Sequence, residues 1–392
     1  MKIKFVVLFI ILFIVSLGIW GYFVWKRSDS QAGQANYYEV SNALGASDTT
    51  GFKKAKTIRT FHFPKDNGPH PAYKNEWWYY TGNLTTKDGR PFGYQFTLFR
   101  IGLKPGRNHS KSDWATHQFY MAHLALTDVK NDKFFAFQQF SRHALGLAGA
   151  QSSPFHIWLE NWQVKGDTER IPKMHLTAKE NDISLNLYLN SEKPPVLEGN
   201  HGLSQKGSKS GNASYYYSLT RLKTKGDVHV NGNSFKVSGL SWMDREWGTN
   251  MLEKDQSGWD WFSVQLNNGW DLMYYQLRKK NGQPDTTSCG KLVKPDGSSI
   301  ILPYGSVTLK VLGHWKSSAT KTVYPSGWNL KVPSKGINLK IKPYIDNQEL
   351  KVSVKYWEGA VKVSGQMNKK TVNGNGYVEL TGYGNNSGKT GF

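Results

Sequence analysis

"WWYYTGNLTTKDGRPFGYQFTLFR", Trp77 to Arg100, is the stretch on which the fold turns. An aromatic run ends at Leu84, a turn follows at Asp88-Gly89, and a second aromatic segment closes on Arg100. Asp-Gly supplies the positive φ angles of a tight hairpin turn, and Trp, Tyr, Phe and Val suit the pleat of a strand. About 180 residues later the pattern returns as "WDWFSVQLNNGWDLMYYQLR", Trp259 to Arg278. This second run ends at Leu266, turns at Asn268-Gly269 and closes on Arg278. Two hairpins of one design predict duplicated β-domains.

Further strands are expected at Gln118–Val129, Ile183–Asn190, Ile337–Tyr344, Leu350–Gly365 and Gly376–Tyr383, where apolar residues alternate and Gly, Asn or Pro intervene. Period-2 patterns broken by such turns argue for sandwiches or barrels. No segment beyond the N-terminus repeats with helical period, so the bulk of the chain is expected to be all-β.

At 392 residues the chain suits two domains, and its 15 Trp and 20 Tyr exclude a disordered or purely solvating polymer. The formal net charge of +21 would draw it toward anionic lipid headgroups. The lysines are scattered, with no basic helix and no nucleic-acid module, so a solvated surface is expected and no nucleic-acid partner. Cys289 stands alone, which leaves no internal disulfide and no cysteine-based metal site.

"FVVLFIILFIVSLGIWGYFVW", Phe5 to Trp25, carries no charge. A bilayer core of about 30 Å needs roughly 20 helical residues, and this run matches it. Lys2 and Lys4 precede the run, and Lys26 and Arg27 follow it. It exceeds the apolar region of a cleaved signal peptide. Residues 1–28 are therefore expected to be a single transmembrane anchor, with signal cleavage near Ala35 as the alternative. Residues 29–56 read as a linker, 57–225 as one β-domain and 226–392 as a second.

Chemistry concentrates in "SWMDREWGTN", Ser241 to Asn250. In a strand Asp244 and Glu246 share one face and Arg245 takes the other. A carboxyl among indoles loses solvation, its neutral form is favoured, and it can serve as a proton donor. The competing reading makes the cluster an ion-paired brace. Glu76 stands beside Trp77-Trp78, and Asp260 lies between Trp259 and Trp261, so both repeats set a carboxylate against tryptophans. Trp242, Trp247, Trp77, Trp78, Trp259 and Trp261 would line an apolar cavity or simply fill a core. No phosphate loop, dinucleotide fingerprint, nucleophile elbow or zinc helix is present, and neither a metal nor a cofactor is expected. His70, His123 and His201 sit in polar contexts, with hydrogen-bonding roles expected.

"NEWWYYTGNL", "GYQFTLFR", "SYYYSLTRL", "WMDREWG", "GWDWFSVQL", "DLMYYQLR", "YWEGAV" and "GYVELTGY" together resemble the AttH-like, carotenoid 1,2-hydratase (hydroxyneurosporene synthase) family from about Phe61 to Tyr383. The resemblance implies two lipocalin-like β-domains in tandem with a ligand region at or between them. It also implies export to the bacterial envelope, with the anchor in the inner membrane and the bulk in the periplasm. Members hydrate isoprenoid double bonds or are described as secreted hydrolases, and nothing in this sequence marks a carotenoid-making setting. The family motifs fall on Trp242, Asp244, Arg245, Glu246 and Trp247, on Glu76, Trp77, Trp78 and Tyr79, on Tyr215, Tyr216 and Tyr217, and on Trp259, Asp260 and Trp261.

Three functions stay open at this point. In the first, an enzyme hydrates an isoprenoid or lipid, with Asp244 as acid and Glu246 or His201 positioning the water. The second is a non-catalytic carrier of an apolar molecule, in which the acids brace the fold. The third is a hydrolase, for which the sequence singles out no triad.

Overall fold

A computed structural model of the chain describes residues 38–39, 48–106, 110–250 and 252–384. The expected anchor and most of the expected linker lie outside the described residues. Among those described, helix is confined to short 3-10 turns such as Lys65–Asn67, and strands form everything else of regular structure. The all-β expectation holds.

The first sheet is built on β1 (Asn75–Thr86), β2 (Pro91–Gly102), β3 (Gln118–Asp128), β4 (Lys133–Arg142), β5 (Ala148–Ser152), β6 (Phe155–Leu159), β7 (Trp162–Gly166), β8 (Met174–Glu180), β9 (Ile183–Ser191), β10 (Ala213–Val230) and β11 (Asn233–Gly248). Their order is β4-β3-β2-β1-β11-β10-β9-β8-β7-β6-β5. The sheet bends into a nearly closed barrel. The second sheet uses β12 (Gln256–Leu266), β13 (Asp271–Lys279), β14 (Cys289–Val293), β15 (Ser299–Leu302), β16 (Thr308–Val311), β17 (Trp328–Val332), β18 (Ile337–Pro343), β19 (Val354–Met367) and β20 (Lys370–Leu380). Its order is β15-β14-β13-β12-β20-β19-β18-β17-β16.

Both expected hairpins form. β1 and β2 pair antiparallel, as do β12 and β13. Gly89 and Gly269 take φ of 87° and 84°, the left-handed conformation that the turns require. The segment expected as one strand from Leu350 divides at residues 352–353. The domain division expected at 225/226 falls inside β10, and the change of sheet comes between Gly248 and Gln256.

The burial pattern along β10 and β11 explains how the sheets meet. Ala213–Thr220 is buried at every position, whereas the rest of β10 mostly alternates. β11 reverses this order: "NSFKVSGL" leaves most residues in contact with solvent, and "SWMDREWG" is wholly buried. A strand covered on one face alternates, and one covered on both does not. The fully buried segments lie where the second sheet covers the barrel's outer face. One core cluster, including Trp78, Tyr217 and Trp247, fills the barrel. Another, including Phe262, Trp328 and Val378, belongs to the second sheet. A third, including Tyr79, Tyr216, Trp242 and Trp261, lies between the two.

Candidate functional site

A cavity opens in the aromatic layer between the sheets. The barrel contributes Trp77 and Tyr79 from β1, Thr97 and Phe99 from β2, Tyr216 from β10, and Asp244 and Glu246 from β11. The second sheet contributes Trp259 and Trp261 from β12, Tyr275 and Leu277 from β13, Tyr356 from β19 and Glu379 from β20. Lys206 and Leu252 complete the wall. Its volume of about 80 Å³ exceeds the roughly 10–15 Å³ needed to hold one water, so it admits a few waters or a small group of a substrate.

Strand alternation decides which candidates reach this space. On β11 Trp242, Asp244 and Glu246 face the second sheet, while Met243, Arg245 and Trp247 face the barrel interior. The expected sharing of one face by Asp244 and Glu246 is what forms. Three donors converge on Asp244: Ser218 Oγ at 2.6 Å and Trp242 Nε1 at 2.7 Å on Oδ1, and the Tyr216 hydroxyl at 2.5 Å on Oδ2. Trp261 Nε1 in turn donates to the Tyr216 oxygen at 3.1 Å. Burial pushes the Asp244 carboxyl up to about 7, and neighbouring Glu246 adds to the rise. The three donors pull the other way without cancelling it. Glu246 accepts from Ser214 Oγ and pairs with Lys206 Nζ at 3.1 Å.

The remaining candidates divide. Trp77, Tyr79, Tyr216, Trp259 and Trp261 line the cavity, and Trp242 supports it from behind. Trp78 and Trp247 are barrel core instead. Arg245 lies beside them, its guanidinium carbon 3.9 Å from the centre of the Trp78 ring. Glu76 does not reach the cavity: it is fully buried on the barrel face, paired with Arg100 and Arg245. Asp260 repeats the arrangement, 3.3 Å from Arg278 and bonded by the Tyr383 hydroxyl at 2.9 Å. Each repeat thus uses its carboxylate to anchor the arginine that closes its own hairpin.

His201 is exposed and borders a separate surface depression with Arg59 and Phe61, so the structure does not bring it to the carboxyl pair. His70 stacks on Trp247 at 3.8 Å and contacts Asp66 at 3.0 Å. His123 is buried, 2.7 Å from the Tyr356 hydroxyl, and burial lowers it to about 3, so it is neutral.

Three acids beyond the sequence candidates attend the cavity. Glu198 is fully buried beside Ser218 and forms no ion pair among the described residues. Burial and then Asp244 push it up to about 8. Glu379 lines the cavity, and Glu358 stands beside it, directly across the β19–β20 ladder. The family resemblance offered a signal for the last two, since Glu358 lies in "YWEGAV" and Glu379 in "GYVELTGY".

A match to the AttH-like family covers residues 54–383. The crystal structure of a putative AttH from Nitrosomonas europaea superposes with a TM-score of 0.75 at 32% identity, over 85% of this chain and all of that one. Kievitone hydratase from Nectria haematococca shares the fold, with a TM-score of 0.63 at 16% identity, over 89% of this chain and 98% of that one. A curated relative, the dehydratase asqC of Emericella nidulans, is 23% identical over 221 residues, which is 53% of this chain and 60% of that protein. With a family match over residues 54–383 and a related structure covered along its whole length at 32% identity, the chain belongs to the AttH-like family.

Proposed function

We propose that the chain is a hydro-lyase-type enzyme that adds water to, or removes it from, an apolar alkene of isoprenoid or lipid character. The observation that carries this is Asp244, a buried carboxyl aimed into an indole-lined cavity and pushed up to about 7 by burial. In hydration its proton passes to one alkene carbon. The faces of Trp77, Trp259 and Trp261 offset the positive charge that develops on the other, by roughly 0.5–2 kcal/mol each. The cavity's size suits the reacting end of a substrate and leaves the remainder of a long chain outside. The names of two relatives, a dehydratase and a kievitone hydratase, support this class of reaction. We further propose that the apolar N-terminal run anchors the protein in a bacterial inner membrane, with the bulk in the periplasm, where its substrate would partition.

Native mass spectrometry with lipid extraction of the full chain from its own envelope would identify the bound compound, and H₂¹⁸O would report hydration. Asp244→Asn is expected to lower turnover about 10²–10⁴-fold. Its stability separates catalysis from bracing. Asp244 binds its proton more tightly folded than unfolded, so its stabilising contribution is present below 3.8 and lost as pH rises through about 7. Asp244→Asn should therefore keep or raise the thermal midpoint at pH 8. A lowered midpoint with unchanged turnover by the folded fraction would sink the acid role. Retained ligand without any wild-type ¹⁸O incorporation would leave a carrier.

A further inference from the structure

The strand order β2-β1-β11-β10-β9 of the barrel recurs in the second sheet as β13-β12-β20-β19-β18. β20 therefore stands to β12 as β11 stands to β1. The registers agree as well: Asp244 lies opposite Tyr79, two residues after Trp77, and Glu379 opposite Trp261, two residues after Trp259. Across the next ladder Ser218 faces Asp244, and Glu358 faces Glu379. Where the barrel offers a hydroxyl beside a carboxyl, the second half sets two carboxyls side by side.

Their surroundings determine the charge that they carry. Glu358 is fully buried, and its Oε2 accepts from the Tyr79 hydroxyl at 2.9 Å. Its Oε1 has no ordinary donor among the described residues. Glu379 accepts from Trp259 Nε1 at 2.5 Å. The two residues stand directly opposite each other across the β19–β20 ladder, and a hydrogen bond between their carboxyls requires a proton on one. No lysine or arginine among the described residues forms an ion pair with either. The ionisable groups that face the pair are Tyr79, Tyr356 and Tyr377, with Asp244 and Glu246 across the cavity. Lys206 belongs to Glu246. Two adjacent carboxylates in such a site cannot both ionise.

We infer that Glu358 and Glu379 share one proton, and that Glu379, the member exposed to the cavity, is the second proton-transfer group of the hydration proposed above. The direction of transfer rests on that function, while the shared proton does not. In hydration the alkene π pair forms a C–H bond with the Asp244 proton, and a lone pair of water forms the C–O bond. A proton leaves the water oxygen for Glu379, its O–H bonding pair staying on oxygen. The pair becomes doubly protonated and Asp244 anionic, and proton exchange with solvent restores both. Dehydration runs the same steps backwards.

The first test needs no substrate. Full-length protein carrying ¹³C-glutamate in detergent is titrated from pH 5 to 9 by infrared and NMR spectroscopy, for wild type and for Glu358→Gln. The amide of Gln can donate to Glu379 in place of the shared proton. A protonated-glutamate signal should persist at pH 7 and be lost in the variant, with Glu379 ionising at lower pH. The difference between the two proteins removes the signal of Glu198. Two ionised carboxylates in wild type at pH 7, or an unchanged Glu379 titration in the variant, would overturn the shared proton.

The second test measures turnover of linear isoprenoid alkenes in H₂¹⁸O. Glu379→Gln should lower kcat at least 10²-fold and remove the acid limb of the pH–rate profile, with Glu358→Gln moving that limb. Turnover within threefold of wild type would overturn the catalytic assignment while leaving hydration itself standing. Failure of wild type to hydrate any alkene would overturn the assignment along with the hydration, and the spectra would still decide the shared proton.

Discussion

Asp244 is poised between two opposed forces. Burial favours its neutral form, and three hydrogen bonds favour the anion. The shortest comes from Tyr216 at 2.5 Å, and that hydroxyl is itself bonded by Trp261. Tyr216→Phe removes a donor without opening much space. A hydrogen bond to a charged group contributes about 1.5–3 kcal/mol, and one pH unit corresponds to about 1.4 kcal/mol. The Asp244 carboxyl in Tyr216→Phe is therefore expected to titrate on the order of one to two units above wild type. The alkaline limb of the rate profile should move up with it, because the acid form then survives to higher pH. Carbon NMR of ¹³C-aspartate reads the shift directly. A downward shift would mean that Tyr216 does not stabilise the anion.

β11 is a two-faced element, and its faces carry different consequences. Arg245, one residue from Asp244, is fully buried on the barrel side. It pairs with Glu76, donates to the Gly68 carbonyl at 2.6 Å and lies over Trp78. Burial opposes the charge on Glu76, yet Arg100 and Arg245 hold its carboxyl well below the usual range. That stabilisation is present above the ordinary value of 4.5 and lost as pH falls through the depressed one. Removing one member of a buried ion pair costs about 3–5 kcal/mol. Arg245→Met should lose stability on that order in urea denaturation, while its folded fraction keeps turnover. Full stability with abolished turnover would reverse the assignment of the two faces. The hairpins and the shared face of Asp244 and Glu246 were legible in the sequence, because turn residues and period-2 alternation are local signals. Which of Glu76, Trp77, Trp78 and Tyr79 reaches the cavity is not legible in the sequence, because both faces of β1 are covered. Alternation separates the faces without saying which one adjoins the cavity. Tyr275, Tyr356, Lys206 and Glu379 were not found, since packing of one sheet on the other brings them in.

At the scale of the whole chain, the cavity exists only while the second sheet covers the barrel, so whatever locks the two together also assembles the site. Asp271 on β13 is a central part of that lock. Its Oδ2 accepts from Lys193 Nζ at 2.7 Å and Thr220 Oγ1 at 2.9 Å, and its Oδ1 from Arg221 Nη2 at 2.5 Å. Gln265 adds bonds to the backbone oxygens of Thr220 and Ser241 at 2.7 and 2.9 Å. Separating the halves would expose the aromatic layer and strand Lys193 and Arg221 without their anion, so both are expected to unfold in one transition. Asp271→Asn keeps the shape but leaves two cations beside a neutral amide, which should cost about 3–5 kcal/mol. Because the lock is shared, the single urea transition should move as a whole when followed by tryptophan fluorescence. Adding Lys193→Met should recover part of the loss by removing one stranded charge. Two separate transitions, with only one moved by Asp271→Asn, would show that the halves fold independently and that the cavity is a docking contact.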